Sequence, residues 1–271
     1  MEHALIKSVI APLMESPSRE SELTDEALCG MTVEVLEKQG SWVRIRTHYR
    51  YEGWVNEETL CFDGALVESW NISLKKVVLQ AYADVLDVPK VQGHLVGSIT
   101  RGGVLNPVGQ PEDGWQRVCF CDGREGFIWS AFLGDYITSW NKAQEPALRK
   151  ALVNTALSYF GTQYRWGGKS PLGIDCSGLC SMAYLLNGVL IYRDAHILPE
   201  FDMREIALTD IKEGDLLFFP GHVAMYIGDS RYIHATAGNN CHGVVINSLD
   251  PKAPDYRADL PEKLLCAGSI F

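Results

Sequence analysis

The sequence predicts an α+β protein in which two small β-barrels precede one mixed domain, and three observations carry that prediction. The first is an internal duplication. Sliding the chain by 73 positions lays Trp42 on Trp115, Arg44 on Arg117, Ile45 on Val118, Glu52-Gly53 on Glu125-Gly126, Trp54 on Phe127, Val55 on Ile128 and Leu60 on Leu133, with no gap. Upstream, an offset of 72 pairs Ala11 with Ala83 and Pro17 with Pro89, so one deletion separates two copies of a unit of about 65 residues. The second is a change of texture near residue 141, where short strand-like runs broken by turn residues give way to helical periodicity. The third is a series of apolar segments between residues 216 and 235 joined by Pro220-Gly221 and Gly228-Asp229, the pattern of an antiparallel sheet.

Taken in order, residues 32–37 (Thr-Val-Glu-Val-Leu-Glu) alternate between two faces and read as a strand. Each copy then offers a wide strand (Trp42-Val43-Arg44-Ile45; Trp115-Gln116-Arg117-Val118), a tight turn, and a second strand opening on Glu-Gly-aromatic-hydrophobic. That succession predicts a small five-stranded barrel with Trp42, Trp54, Trp115 and Phe127 in its core. The expected domains are residues 1–67, 68–140 and 141–271. Residues 141–146 form a linker, and Pro146 stands where proline opens a helix. A helix is expected over 147–160, with apolar residues at 148, 152, 156 and 159 or 160 and Gly161 as its stop. A second helix should begin at Cys176, bury Leu179, Ala183 and Leu186, and end at Gly188. Strands follow at 216–219, 222–227 and 231–235.

The chain has 271 residues, 46% hydrophobic and 21% charged, which is the composition of a folded globular protein. Lys and Arg number 24 against 34 Asp and Glu, a net charge of −10 and the wrong sign for a phosphate-backbone binder. Nucleic acid is excluded as a partner. The N-terminus, Met1-Glu2-His3-Ala4-Leu5-Ile6-Lys7, has no basic stretch followed by a long apolar one, and no window holds the ~18 apolar residues of a membrane helix. A cytoplasmic monomer without membrane contact is expected, or a secreted or periplasmic one if a leader has been removed. The eight cysteines (29, 61, 119, 121, 176, 180, 241 and 266) are scattered and lack paired metal spacing, so they read as reduced thiols. No metal or other cofactor is expected.

The densest chemical signal lies in residues 164–179, Tyr-Arg-Trp-Gly-Gly-Lys-Ser-Pro-Leu-Gly-Ile-Asp-Cys-Ser-Gly-Leu. A glycine-rich loop delivers Cys176 to the first turn of a helix, where the partial positive charge and a nearby imidazolium would lower the thiol pKa toward neutrality. A small hydrophobe packed under the loop is the plainer fate, and the one expected for Cys180. A nucleophilic thiol needs a base. His222 opens one strand and His234 sits near the end of the next, so the hairpin between them can set the two imidazoles side by side as a base and its orienting partner.

The motifs carry a family resemblance. Tyr-x-Trp-Gly-Gly at 164–168, Asp-Cys-Ser-Gly at 175–178, Gly-Asp-Leu-Leu-Phe-Phe at 214–219, Gly-His-Val-Ala-Met-Tyr-Ile-Gly at 221–228 and Tyr-Ile-His-Ala at 232–235 resemble the NlpC-type cysteine peptidases, papain-like hydrolases of bacterial cell-wall peptides. Gly53-Trp54-Val55, and more loosely Gly126-Phe127-Ile128, resemble the bacterial SH3-like domain. The whole architecture, two SH3-like β-barrels before a papain-like α+β domain, is similar to γ-D-glutamyl-L-diamino acid endopeptidases of the dipeptidyl-peptidase VI type. Those act on muropeptide stems with a free N-terminal L-alanine and release L-Ala-γ-D-Glu. The resemblance implies Cys176 as nucleophile, His222 as base and His234 as its orienting residue. It also implies that Asp175 holds the substrate's α-ammonium, although a helix cap is an equal use for that carboxylate. Tyr164, Trp166 and Ser177 match pocket positions, and Tyr51, with Tyr49 close behind, matches a tyrosine lent by the first SH3-like domain. Arg193-Asp194-Ala195-His196 departs from the family pattern, leaving the 192–201 loop unassigned. A wall-binding adaptor and a lytic endopeptidase of intact wall are the alternative functions.

Overall fold

The duplication read from the sequence is a duplication of topology. The computed structural model describes residues 2–271, in two units that meet between Tyr136 and Ile137 in sequence. In the first unit one copy consists of β1 (Glu2–Ile6), β2 (Ile10–Met14), β3 (Leu23–Leu28), β4 (Thr32–Gln39), β5 (Trp42–Thr47), β6 (Glu52–Asn56) and β7 (Leu60–Cys61). After helix α1 (Gly64–Ile72), the other consists of β8 (Lys76–Val78), β9 (Tyr82–Leu86), β10 (Leu95–Thr100), β11 (Val104–Glu112), β12 (Trp115–Cys119), β13 (Glu125–Trp129) and β14 (Leu133–Asp135). The sheet orders, β3-β2-β6-β5-β4-β1-β7 and β10-β9-β13-β12-β11-β8-β14, correspond strand for strand. Even the register is kept: Trp42 faces Asn56 and Arg46 faces Glu52 in one hairpin, while Trp115 faces Trp129 and Cys119 faces Glu125 in the other.

Three expectations change here. Each copy has seven strands rather than five, because a strand before the repeat's recognisable motif and a short closing strand after it join the sheet. The domain boundary expected between 67 and 68 falls inside α1, whose N-cap Asp63 accepts bonds from the N–H groups of Ala65 (2.9 Å) and Leu66 (3.1 Å). The aromatics Trp42, Trp54, Trp115 and Phe127 are half-buried, and the barrel cores are built from Val43, Ile45, Val55, Val118 and Ile128. The strand period explains that exchange: Trp42 shares a face with exposed Arg44, and Val43 with Ile45. The two copies also share a core. Leu5, Val67, Trp70, Val104 and Cys121 form one apolar cluster, and Trp70 Nε1 donates to the Gly30 carbonyl (2.9 Å).

The second unit opens with α2 (Glu145–Leu157), continues through the miniature hairpin β15 (Lys169–Ser170) and β16 (Gly173–Ile174), and reaches α3 (Cys176–Leu185). Six further strands, β17 (Arg204–Ile206), β18 (Leu216–Phe219), β19 (His222–Gly228), β20 (Arg231–Thr236), β21 (Gly243–Ser248) and β22 (Cys266–Ser269), form an antiparallel sheet ordered β17-β22-β18-β19-β20-β21. Pro146 does sit in the first turn of α2, but that helix stops at Leu157 rather than at 160. There Tyr159 and Phe160 donate to Ala156 and Leu157, bonds of the tighter three-residue turn that carries the chain to Gly161 in the left-handed region. Every residue from Cys176 to Tyr184 is buried, so α3 is a central helix packed against β19, β20 and α2. Burial of a side chain such as Leu179 there is worth about 1.5–3 kcal/mol. Among the described residues no helix is long and apolar enough to cross a membrane.

Candidate active site

The glycine-rich loop folds back on itself through β15 and β16 and aims Asp175 at the start of α3. Asp175 is extended (φ −93°, ψ 179°), and its Oδ1 accepts from the Gly178 N–H at 2.6 Å, so it is the helix N-cap. Cys176 is therefore the first helical residue, with its side chain at the positive end of the helix. The glycine of Asp-Cys-Ser-Gly is demanded by packing: a side chain at Gly178 would overlap the Gly168 carbonyl oxygen.

The loop that the sequence left unassigned supplies the centre of this network. Arg193, 1% exposed, forms a bidentate pair with Asp175 (Nη1–Oδ1 3.0 Å, Nη2–Oδ2 3.1 Å), donates to Ser177 Oγ at 2.7 Å and to the Gly168 carbonyl at 3.2 Å. Ser177 Oγ in turn donates to Asp175 Oδ1 at 3.2 Å. The cap carboxylate, the serine beside the thiol and the glycine loop are thus held by one buried guanidinium. Beyond Arg193 the same loop turns back over α3, and Tyr192, His196 and Phe201 with Ser177, Cys180 and Val223 line a recess there.

On the sheet, His222 Nε2 lies 2.8 Å from His234 Nδ1, and His234 Nε2 lies 2.9 Å from Asn247 Oδ1. The backbone N–H groups of Val223, next to His222, and of Ser177 favour the charged form of Cys176. The electrostatics differ from the expectation of a thiol lowered toward neutrality. Burial, assisted by the Asp175 carboxylate, pushes the Cys176 thiol up to about 11, against the opposing pull of Arg193 and the two backbone amides. Burial also lowers His222 to about 3, with His234 and Arg257 adding to the effect, and lowers His234 to about 4 despite its bond to Asn247. Burial at this site therefore favours a neutral thiol and two neutral imidazoles over a thiolate and an imidazolium.

These lowered histidines make stability depend on pH. Below the ordinary value of 6.5 the unfolded chain binds protons that the native dyad refuses, so the stabilisation is complete above about 6.5 and is lost as pH falls through about 4 and 3. We expect the urea midpoint to fall between pH 6.5 and 4, and to fall less in a His222→Asn/His234→Asn double variant. Equal slopes in the two proteins would refute the assignment.

The structure brings Cys176, Asp175, Ser177 and Arg193 together at one helix end, and His222, His234 and Asn247 together on adjoining strands. Tyr164 is half-buried, and its phenol is pushed well above its ordinary value by burial and by the neighbouring Cys176 and Asp175. Trp166 is 60% exposed, and Cys180 is buried as expected. Tyr49 is buried in the first unit and donates its hydroxyl to Asp25 Oδ2 at 2.6 Å, while Tyr51 is half-buried at the entry to β6. Two functional candidates escaped the sequence reading. Arg193 was visible only as a departure from a pattern, and Asn247 carried no signal, because its nearness to His234 depends on the β20–β21 register.

A cysteine at the N-terminus of a buried helix, packed against an antiparallel sheet that carries two linked histidines, defines a papain-like cysteine peptidase. The pattern of the NlpC/P60 family matches residues 161–258, and that of the bacterial dipeptidyl-peptidase SH3 domain matches residues 13–60. The chain is 44% identical over 273 residues to Dipeptidyl-peptidase 6 of Lysinibacillus sphaericus, covering 99% of this chain and 100% of that one. It is 27% identical over 231 residues to gamma-D-glutamyl-L-lysine dipeptidyl-peptidase of Bacillus cereus, covering 79% and 68%. The crystal structure of an NlpC/P60 family protein from Bacillus cereus shares the fold, with a TM-score of 0.79 at 22% identity over 98% of both chains. The chain belongs to the NlpC/P60 family of cysteine peptidases.

Proposed function

We propose that this chain is a γ-D-glutamyl-L-diamino acid endopeptidase that acts on free peptidoglycan stem peptides with an unblocked N-terminal L-alanine and releases L-Ala-γ-D-Glu. The observation that carries the reading is the carboxylate of Asp175, fixed beside the thiol by Arg193 and by the helix it caps. Its Oδ2 accepts Arg193 Nη2 and has a second lone pair for an α-ammonium. An anchored ammonium measures a fixed distance to the scissile bond, which selects a dipeptide from the free end. The names of the two dipeptidyl-peptidase relatives support the same substrate class.

In this mechanism the Cys176 sulfur attacks the γ-glutamyl carbonyl carbon while its proton passes to His222. The carbonyl oxygen, now anionic, faces the Cys176 N–H at the open end of α3. His222 returns the proton to the amine of the diamino acid as the C–N bond breaks, leaving a thioester. His222 then takes a proton from water, whose oxygen attacks the thioester carbon; the C–S bond breaks, the dipeptide leaves, and His222 returns the proton to the Cys176 sulfur. An ammonium beside Asp175 offsets the carboxylate that helps hold the thiol up, so substrate binding favours the thiolate. Ser177, Tyr164 and Trp166 belong to the proposed substrate-binding set.

The proposal includes a soluble monomer in a reducing cytoplasm, supported by eight unpaired thiols and a charge of −10, which anionic wall polymers would repel. Mass spectrometry of products from L-Ala-γ-D-Glu-diaminopimelate and its N-acetyl derivative tests the reading. We expect dipeptide from the free tripeptide and at least a hundredfold less from the acetylated one, a loss of about 2.7 kcal/mol. Equal cleavage would mark a lytic endopeptidase, and wall binding without cleavage an adaptor.

A further inference from the structure

The hydrogen bonds around the two histidines form a chain with one fixed end. Asn247 Nδ2 lies 2.7 Å from the backbone carbonyl oxygen of Asp255. A carbonyl oxygen only accepts, so the Asn247 group facing it is the NH₂, and the group facing His234 is Oδ1. An amide oxygen also only accepts. His234 Nε2, 2.9 Å away, therefore carries a proton. In a neutral imidazole the other nitrogen is then bare, so His234 Nδ1 is an acceptor and His222 Nε2, at 2.8 Å, must be the donor. The only ring nitrogen of His222 left without a proton is Nδ1. Both rings are neutral, because burial lowers their affinity for a second proton.

We propose that Asn247 is the positioning residue that sets the protonation pattern of both histidines and thereby makes Nδ1 of His222 the lone pair that receives the thiol proton. Its placement is built by the sheet: Tyr232 pairs with Asn247 and His234 with Val245, so Asn247 sits on the same face as His234, one diagonal step along β21. The Asp255 carbonyl is itself held, since it accepts from the Ser248 N–H (3.4 Å) and its residue is paired with Arg231 (Nη2–Oδ2 3.2 Å). The chemical consequence concerns the attack step. When Nδ1 of His222 takes the thiol proton, the ring becomes an imidazolium whose Nε2–H already points at an acceptor, so no other proton moves and no side chain turns. With the amide of Asn247 reversed, His222 would present N–H to the thiol and could accept nothing.

The inference rests on the proposed use of Cys176, His222 and His234, but its first test does not need turnover. Long-range ¹⁵N–¹H correlation spectra of the ¹⁵N-histidine-labelled full chain at neutral pH report which ring nitrogens carry protons. His222→Gln and His234→Gln spectra assign the signals. We expect both rings as Nε2–H tautomers. An Nδ1–H tautomer or an imidazolium at either ring would overturn the proposal, whatever the enzyme's substrate proves to be. The second test is Asn247→Leu. We expect His234 to lose its single tautomer and kcat on the free tripeptide to fall about 10- to 100-fold, short of the ~10⁴-fold loss seen when a triad partner itself enforces the wrong tautomer. KM should stay within about twofold, because no substrate contact is removed. A folded Asn247→Leu protein with unchanged kcat and an unchanged His234 tautomer would overturn the proposal. If that variant fails to fold, the wild-type spectrum decides.

Discussion

We expect Cys176→Ala to yield a folded protein that does not turn over L-Ala-γ-D-Glu-diaminopimelate. The thiol contributes the bond-forming electron pair, and loss of a nucleophile that works with its base as one unit removes on the order of 10⁴- to 10⁶-fold in kcat. The fold survives because the change removes one buried sulfur at the first position of α3, while the cap at Asp175, the close approach at Gly178 and the Arg193 pair are left in place. Cavity cost for an atom of that size is about 1 kcal/mol. Circular dichroism and thermal unfolding should match the wild type within a few degrees, while product mass spectrometry finds no dipeptide. Turnover above about 1% of the wild type would remove Cys176 from the chemistry.

Arg193→Met has the largest expected effect on stability. The guanidinium is fully buried, and its partner Asp175 is 7% exposed, so deleting it strands a carboxylate with only the Gly178 and Ser177 bonds. Breaking a buried ion pair from one side costs about 3–5 kcal/mol. The same change removes a cation that favours the thiolate of Cys176, so activity falls with stability. Arg193→Lys recovers little, because an ammonium cannot match the two carboxylate oxygens and also reach Ser177 and Gly168. Removing both charges in Arg193→Met/Asp175→Asn should restore more than 1 kcal/mol relative to the single change, as expected for directly coupled groups. Urea unfolding of the four proteins closes the cycle. A single Arg193→Met cost below about 1 kcal/mol, or strict additivity, would show that the pair does not hold the site.

The corrections between sequence and structure have local physical causes. The repeat was legible because matched residues at one offset need no knowledge of packing, and the structure returns it as identical sheet order and register. The placement of Trp42 and Trp54 in the core was wrong in a way the sequence could have corrected. Strand alternation puts each on the face opposite Val43 and Val55, and here period outweighs aromatic character. The thiol pKa departs from the sequence expectation for a different reason. A helix N-terminus and a nearby histidine are visible in the chain, but the water excluded around Cys176 and the carboxylate beside it are not, and those two outweigh them. Arg193 shows the same limit from the other side. An arginine in an irregular loop reads as solvated, and only the folded path from Ile191 onward turns it inward beneath the cap.

What the chain determines by itself is the principal elements and the chemical inventory: two copies of a barrel, a helix beginning at Cys176, and adjacent strands that each carry a histidine. These follow from periodicity, caps and turn residues within a few positions of each other, where the physics is local. What only the tertiary structure decides is which groups meet and in what charge state. Arg193 reaches Asp175 across 18 positions, Asn247 reaches His234 across 13, and the Asp255 carbonyl reaches Asn247 across 8. Those meetings depend on loop path and strand register, and burial at the meeting points sets the protons, because desolvation acts on groups only once the fold has removed their water.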